Sequence, residues 1–324
     1  MKQFFTIVFG GLAAIGVGVA IAYGGAQGWR VLKPQLSKLS PPSFSSVAAV
    51  LTPTSVAEGT SISGSKRTIR YTASEEEDII NAAVRALPAS PDSRIGATAY
   101  LLKNLSRGDT TLTHQADQLL PIASLTKLVT AVVARKKLDA DERITIGRNV
   151  MATYGNTAGF KVGETFKVSD LMYPLLMVSS NDAAEAFALA YDRPKFIKAM
   201  NDFVQSIGAY RTYFADASGL SPLNVSTAND LAIIIDWIRK NDPSIIDITM
   251  LKSKTIRSHT WTNPTHFLSW SYYKGGKNGY TNEANRTGVS LFALGKNKNI
   301  YVIVVLGSSN RDADVLKLLE KVRE

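Results

Sequence analysis

From Phe4 to Tyr23 the chain runs for twenty residues, FFTIVFGGLAAIGVGVAIAY, without a charge. As a helix such a run spans about 30 Å, the thickness of a bilayer's hydrocarbon core. It therefore addresses a membrane and is set apart from any water-soluble core. Two readings of residues 1–29 stand side by side. A cleavable signal peptide would use Lys2 as its basic start and Ala20 and Ala22 as the small residues before the cut. An uncleaved anchor, a hydrophobic helix over 4–23, would use the full length, Trp29 at the interface and the basic flank Arg30 and Lys33. Residues 30–74 follow with LSPPSF, LTPTS and TSISGS, a Ser/Thr/Pro-rich composition that makes a spacer. Residues 75–324 remain to fold, enough for one large core.

Charge divides along the same boundary. The chain has 37 Lys+Arg against 27 Asp+Glu, a net +10, with 45% apolar residues. Residues 1–74 hold seven basic groups and the single acid Glu58, so +6 lies in leader and spacer and +4 in the rest. That distribution suits a tether beside anionic lipid or wall polymer. No zinc-finger, RNP or helix-turn-helix signature accompanies it, so no nucleic-acid partner is expected. The absence of cysteine excludes disulfide frameworks, thiol nucleophiles and cysteine metal sites. His114, His259 and His266 are scattered with no H-E-x-x-H pair, so neither a metal nor another cofactor is expected.

The patterning of 75–324 places a helix at its start, where EEEDIINAAVRAL puts acids ahead of helically spaced apolar residues. Strands are expected at 95–103 and 110–113, and a helix at 124–138. Helical stretches follow at 168–190, 195–208 and 227–241, then strands at 288–293 and 300–306 and a closing helix at 312–322. This order predicts one α/β sandwich-like domain.

Three short motifs carry candidate chemistry. In Ser124-Leu125-Thr126-Lys127 the i, i+3 spacing puts hydroxyl and amine on one helical face. Lysine serves as a base only when neutral, which requires desolvation or nearby positive charge. Ile122, Leu125, Leu128 and Val129 supply apolar surroundings. Alone the motif is weak, since S-x-x-K recurs at Ser63–Lys66 and Ser271–Lys274, and a serine at a helix start is ordinarily a cap. Ser179-Ser180-Asn181 offers a hydroxyl and an amide between helical runs, and it too has an ordinary use as a helix cap. Lys277-Asn278-Gly279-Tyr280 lies just before a strand-like run, where a glycine lets a substrate backbone approach a sheet edge. Lys161–Gly163 and Lys274–Gly276 match K-x-G equally well.

Order and context lift the three together. S-x-N comes 55 residues after S-x-x-K, and K-x-G another 98 residues on. The series matches the S-x-x-K, S-D-N, K-T-G signature of penicillin-recognising serine enzymes. Through PIASLTKLVTA, LLMVSSNDAAEA, ASGLSPLNVSTANDLA and GGKNGYTNEA, spread over 78–322, the chain resembles the penicillin-binding D-alanyl-D-alanine carboxypeptidases. The resemblance implies a serine β-lactamase/DD-peptidase-like α/β fold, with an antiparallel sheet flanked by helices and a helical subdomain. It implies an acyl-enzyme hydrolase trimming peptidoglycan stem peptides, with β-lactams as covalent inhibitors. It assigns Ser124 as nucleophile, Lys127 as general base, Ser179 as proton relay to the leaving amine, and Asn181 as a holder of Lys127 and substrate. Lys277 would help keep Lys127 neutral and attract the substrate carboxylate, and the N–H groups of Ser124 and Tyr280 would form the oxyanion hole.

Two departures stand out. The usual threonine of K-T-G is Asn278, and Asn285 and Arg286 fall where the family carries small or apolar residues. Carboxypeptidase and endopeptidase activity both fit. So does a catalytically silent wall-binding protein, which Asn278 keeps open. A β-lactamase fits less well, because 186–282 contains no glutamate to activate a deacylating water. The catalytic domain is expected outside the cytoplasm, at the cell membrane, or in periplasm or wall if the leader is cut.

Overall fold

The computed structural model describes residues 94–323, together with the short segments 5–8, 21–22, 30–31 and 68–71. Contacts divide the chain into two units, Met1–Ile79 and Ile80–Glu324. In the first, Phe5–Val8 pairs antiparallel with Thr68–Tyr71, and Ile21–Ala22 with Arg30–Val31. Phe5–Val8 and Ile21–Ala22 are strands where the uncharged run was expected to be helical, and FTIV is itself a β-favouring sequence. The rest of that run, and the helix expected from residue 75, lie outside the described residues. No helix among the described residues is long and apolar enough to cross a membrane.

The second unit is built on a five-stranded antiparallel sheet. Its strands are β1 (Ala99–Asn104), β2 (Thr110–His114), β3 (Tyr273–Thr281), β4 (Asn285–Leu294) and β5 (Asn299–Ser308), in the order β3-β4-β5-β1-β2. The central strands are buried on both faces, so they read as apolar runs rather than as an alternation. Ala99, Leu101, Val302, Val304 and Leu306 join the larger core cluster, while Tyr100, Leu102, Ile303 and Val305 join the smaller one on the other face. The closing helix α7 (Arg311–Arg323) packs on the second face through Val315, Leu318 and Leu319.

Between β2 and β3 the chain makes the helical layer. It comprises α1 (Thr126–Lys137), α2 (Val168–Met177), α3 (Asn181–Ala190), α4 (Arg193–Ser206), α5 (Ala228–Asn241) and α6 (Pro243–Thr249). Nine consecutive residues of α1, Thr126 to Ala134, are buried. A helix buried on every face lies inside, and α2 to α6 surround it. Arg135, Lys136 and Lys137 occupy its last turn, where cations complement the helix dipole. α4 and α5 start at side-chain caps, Asp192 accepting from Lys195 N–H and Thr227 from Asp230 N–H. α5 lies against β1 and β5.

The stretch expected to be helical over 168–190 is two helices, broken at Val178–Ser180. β3 begins earlier than the motif suggested, so Lys277-Asn278-Gly279 lies inside a nine-residue edge strand rather than before one. Three glycines, an asparagine and two lysines give this segment poor strand propensity, and tertiary contacts override it.

Candidate active site

Ser124 sits in a single 3-10 turn, Ala123–Leu125, that runs straight into α1. Ala123 has φ +49°, the left-handed region that a non-glycine residue adopts only under constraint. The constraint is visible. Thr126 Oγ1 donates to Ala123 O at 2.8 Å, Thr287 Oγ1 donates to Ile122 O at 3.0 Å, and Ile122 N–H donates to Asn224 O at 3.0 Å. One turn on, Lys127 Nζ lies 2.9 Å from Ser124 Oγ.

Lys127 is fully enclosed, and its Nζ has two more partners, Asn181 Oδ1 at 2.7 Å and Ser218 O at 2.5 Å. Both can only accept. The Asn181 amide is oriented by its Nδ2, which donates to Tyr154 O at 2.8 Å. A neutral amine has two hydrogens and one lone pair. It satisfies all three contacts when the hydrogens go to Asn181 and Ser218 and the lone pair accepts from the Ser124 hydroxyl. Burial is the main influence on Lys127 and lowers it from 10.5 to about 7, against the opposing pull of Asp216 and Asp182. Asp182, at the start of α3, is itself raised to about 6 by burial.

The Ser179–Asn181 motif divides its labour differently from the cap reading. Ser180 is the cap, its Oγ accepting from Ala183 N–H at 3.1 Å. Ser179 is left free of that task, at φ +59°, with its Oγ 2.9 Å from Lys277 Nζ. Lys277 is also buried, and its Nζ donates to Asn278 O at 2.8 Å. Burial first, then the charges of Lys127 and Arg311, hold the Lys277 amine well below its ordinary value. Desolvation is the first influence on both amines, and the charge coupling between them adds to it at Lys277.

On edge strand β3, Lys277 and Gly279 share one face and Asn278 and Tyr280 the other. A Cβ at Gly279 would come within 2.6 Å of Thr287 Oγ1 and 2.9 Å of Ser124 N. Only glycine lets the edge lie this close to the Ser124 turn. Gly279→Ala is expected to push the edge outward and cost about 10²-fold in kcat/KM, with about 1–3 kcal/mol of stability. Denaturant titration and penicillin acylation rates check this, and an unchanged acylation rate would show that the close approach is dispensable.

Three contributors escaped the sequence reading. The loop 216–224 supplies the Ser218 carbonyl, and Asp216 folds it by accepting from the N–H groups of Ser218 (2.7 Å), Gly219 (2.6 Å) and Ser221 (2.6 Å). Gly219, at φ +87°, lies where a Cβ would overlap the Ala123 carbonyl. Asn224 ties this loop to the Ser124 turn, its Nδ2 donating to Thr126 Oγ1 at 3.0 Å. Arg311 crosses over Gly288, the register partner of Asn278 on β4, and donates to Asp312 Oδ1 from Nε at 2.7 Å. The Asx-type turn was readable in D-A-S-G-L-S, but not that its carbonyl meets a lysine 91 residues earlier. Among the described residues no group of three or more His, Asp or Glu side chains could hold a metal ion.

A sheet between two helical layers, with a serine, two buried amines and an edge strand converging where the layers meet, defines a penicillin-binding-protein fold. A D-alanyl-D-alanine carboxypeptidase of Mycobacterium tuberculosis superimposes with a TM-score of 0.66 at 26% identity, covering 72% of this chain and 94% of that one. Penicillin-binding protein D2 of Listeria monocytogenes, solved in its cefotaxime-bound form, gives 0.64 at 25% identity, covering 72% and 100%. The D-alanyl-D-alanine carboxypeptidase family model matches residues 85–310. A D-alanyl-D-alanine endopeptidase of Pseudomonas aeruginosa is 31% identical, over 72% of this chain and 82% of its own length. A D-alanyl-D-alanine carboxypeptidase of Salmonella typhimurium is 30% identical, over 74% of this chain and 65% of its own length. This chain belongs to the D-alanyl-D-alanine carboxypeptidase family of serine peptidases.

Proposed function

We propose that this protein hydrolyses the bond between two D-residues in peptidoglycan peptides through an acyl-enzyme on Ser124. The observation that carries this is the placement of the buried Lys127 Nζ 2.9 Å from Ser124 Oγ, held there by Asn181 Oδ1 and Ser218 O, so that the amine once deprotonated can accept the Ser124 proton. Ser124 Oγ attacks the scissile carbonyl carbon as its proton passes to Lys127. The oxyanion is met by the N–H groups of Ser124 and Tyr280, preorganised donors of the kind that supply much of the rate. As the tetrahedral intermediate collapses, the C–N bond breaks and the leaving amine takes, through Ser179, the proton that Lys127 received, which returns Lys127 to its neutral form; Ser179 Oγ also meets Lys277. Water then attacks the ester, with Lys127 again as base, and releases the shortened peptide. Lys277 and the Asn278 amide receive the carboxylate of the leaving residue, Asn278 doing so without the usual hydroxyl.

Penicillins, which carry a carboxylate beside a strained amide, should acylate Ser124 in the same way. Rapid deacylation of that product needs a carboxylate free to activate water. Asp216 has its oxygens committed to the N–H groups of its own loop, which favours a peptidase over a β-lactamase. Because the substrate polymer lies outside the cytoplasm, residues 1–74 would deliver the domain there, retained at the membrane or released after cleavage.

The full chain, incubated with a D-Ala-D-Ala pentapeptide and with cross-linked muropeptide dimers, tests this by mass analysis of products. Free D-alanine or resolved monomers is the expected result. Intact substrates together with unlabelled protein after penicillin treatment would overturn it in favour of a silent wall-binding protein.

A further inference from the structure

Arg286 has no place in the chemistry above, yet it stands one strand away from it. It is the register partner of Tyr280 across β3 and β4, on the outer face of the edge. Tyr280 is 59% exposed, and the Arg286 guanidinium lies over its ring, 5.5 Å from the centroid. Arg286 Nη1 donates to Ser309 O at 3.0 Å, and Tyr280 OH donates to Asn282 Oδ1 at 3.2 Å, so the stacked pair is anchored at both ends. Asn285, at φ +52°, closes the turn that delivers Arg286 to this place.

The other cations of the site are committed. Lys127 and Lys277 are buried amines with lowered affinity for protons. Arg311 places both Nε and Nη2 on Asp312 Oδ1, at 2.7 and 2.6 Å. Arg286 forms no ion pair with any described carboxylate, so it is a standing positive charge at the rim with donors to spare.

Its position says which part of a substrate it would meet. With the leaving residue's carboxylate at Lys277 and Asn278, and the scissile carbonyl at the Tyr280 N–H, the acyl half of the peptide continues towards Tyr280 and Asn282. We propose that Arg286, seated on Tyr280, is a specificity residue that receives a carboxylate at the end of the side chain preceding the scissile D-residue, and so selects acid-ended over amine-ended stem peptides. Four methylenes laid along the exposed Tyr280 ring would bring such a carboxylate to the guanidinium. The inference rests on the DD-peptidase reading, but it is separable from it.

Three tripeptides of matched side-chain length test it. These are acetyl-L-2-aminopimelyl-D-Ala-D-Ala, ending in a carboxylate, acetyl-L-lysyl-D-Ala-D-Ala, ending in an amine, and the neutral acetyl-L-norleucyl-D-Ala-D-Ala. The full chain is expected to favour the acid-ended peptide over the amine-ended one by about tenfold or more in kcat/KM, less so in high salt. Arg286→Ala should bring the ratio near one, Arg286→Glu should reverse it, and Arg286→Lys should restore part of it. Because the readout is a ratio within each protein, a loss of folded protein does not imitate it. A wild-type ratio near one, or a ratio that Arg286→Glu leaves unchanged, would overturn the assignment while leaving the peptidase reading intact. A protein that cleaves none of the three and takes no penicillin label would overturn both.

Discussion

Ser124→Ala is expected to abolish covalent labelling by a penicillin and to lower turnover of D-Ala-D-Ala peptides by about 10⁴–10⁶-fold. The variant removes one oxygen from a half-buried position, and the constraints on the turn do not involve it. Thr126, Thr287 and Asn224 hold the backbone of residues 122 and 123 whatever side chain follows. The fold should therefore survive, and peptide binding along β3 with it, while the acyl-enzyme cannot form. Gel detection of a fluorescent penicillin and steady-state assay of released D-alanine read the two losses separately. Labelling that persists in the variant would place the nucleophile on another side chain, and the role given to Lys127 would lose its basis.

The pH dependence of acylation should follow Lys127. Burial lowers its pKa to about 7, so below that pH the folded protein carries an ammonium there and no lone pair faces Ser124. Acylation should fall about tenfold for each pH unit below the midpoint and level off above it. The sign follows from the role: a general base works deprotonated, so its rate limb rises with pH. A nucleophile helped by a permanently charged lysine would show no such limb. Second-order acylation rates measured from pH 5 to 9 decide the matter, and a flat profile would remove Lys127 as the base. The opposing pull of Asp216 and Asp182 keeps the midpoint near neutrality despite complete burial.

Much of the scaffold was readable from periodicity, and the misses share one cause. The buried helix behind Ser124 and the central strands carry apolar patterns strong enough to stand on their own. β3 does not, because its residues serve the close approach to the Ser124 turn rather than strand propensity. Gly279 is required by Ser124 N, and Gly275 by Ile246 and Thr249 of α6. The break between α2 and α3 falls where the motif was placed between helical runs, but its backbone conformation is imposed from outside the segment. Ser179 occupies a left-handed conformation that its own side chain does not favour, and its neighbours impose it.

The site divides in the same way. Three S-x-x-K matches are present in the chain, and nothing local ranks them. The lysine of the Ser271 match is exposed and donates to Ser271 O, and the Ser63 match lies outside the described residues. Of the two described matches, only that of Lys127 lies under a helical layer that strips its amine of water. By itself the amino-acid sequence determined which residue types were available and that Ser124 and Lys127 would share a helical face, since three residues make one turn. The tertiary structure alone decided that Lys127 would lose its proton near pH 7 rather than near its ordinary value. Its proton is governed by burial, and by Asn181 and Ser218 arriving from 54 and 91 residues away. Desolvation belongs to the packed molecule and to no segment of the chain.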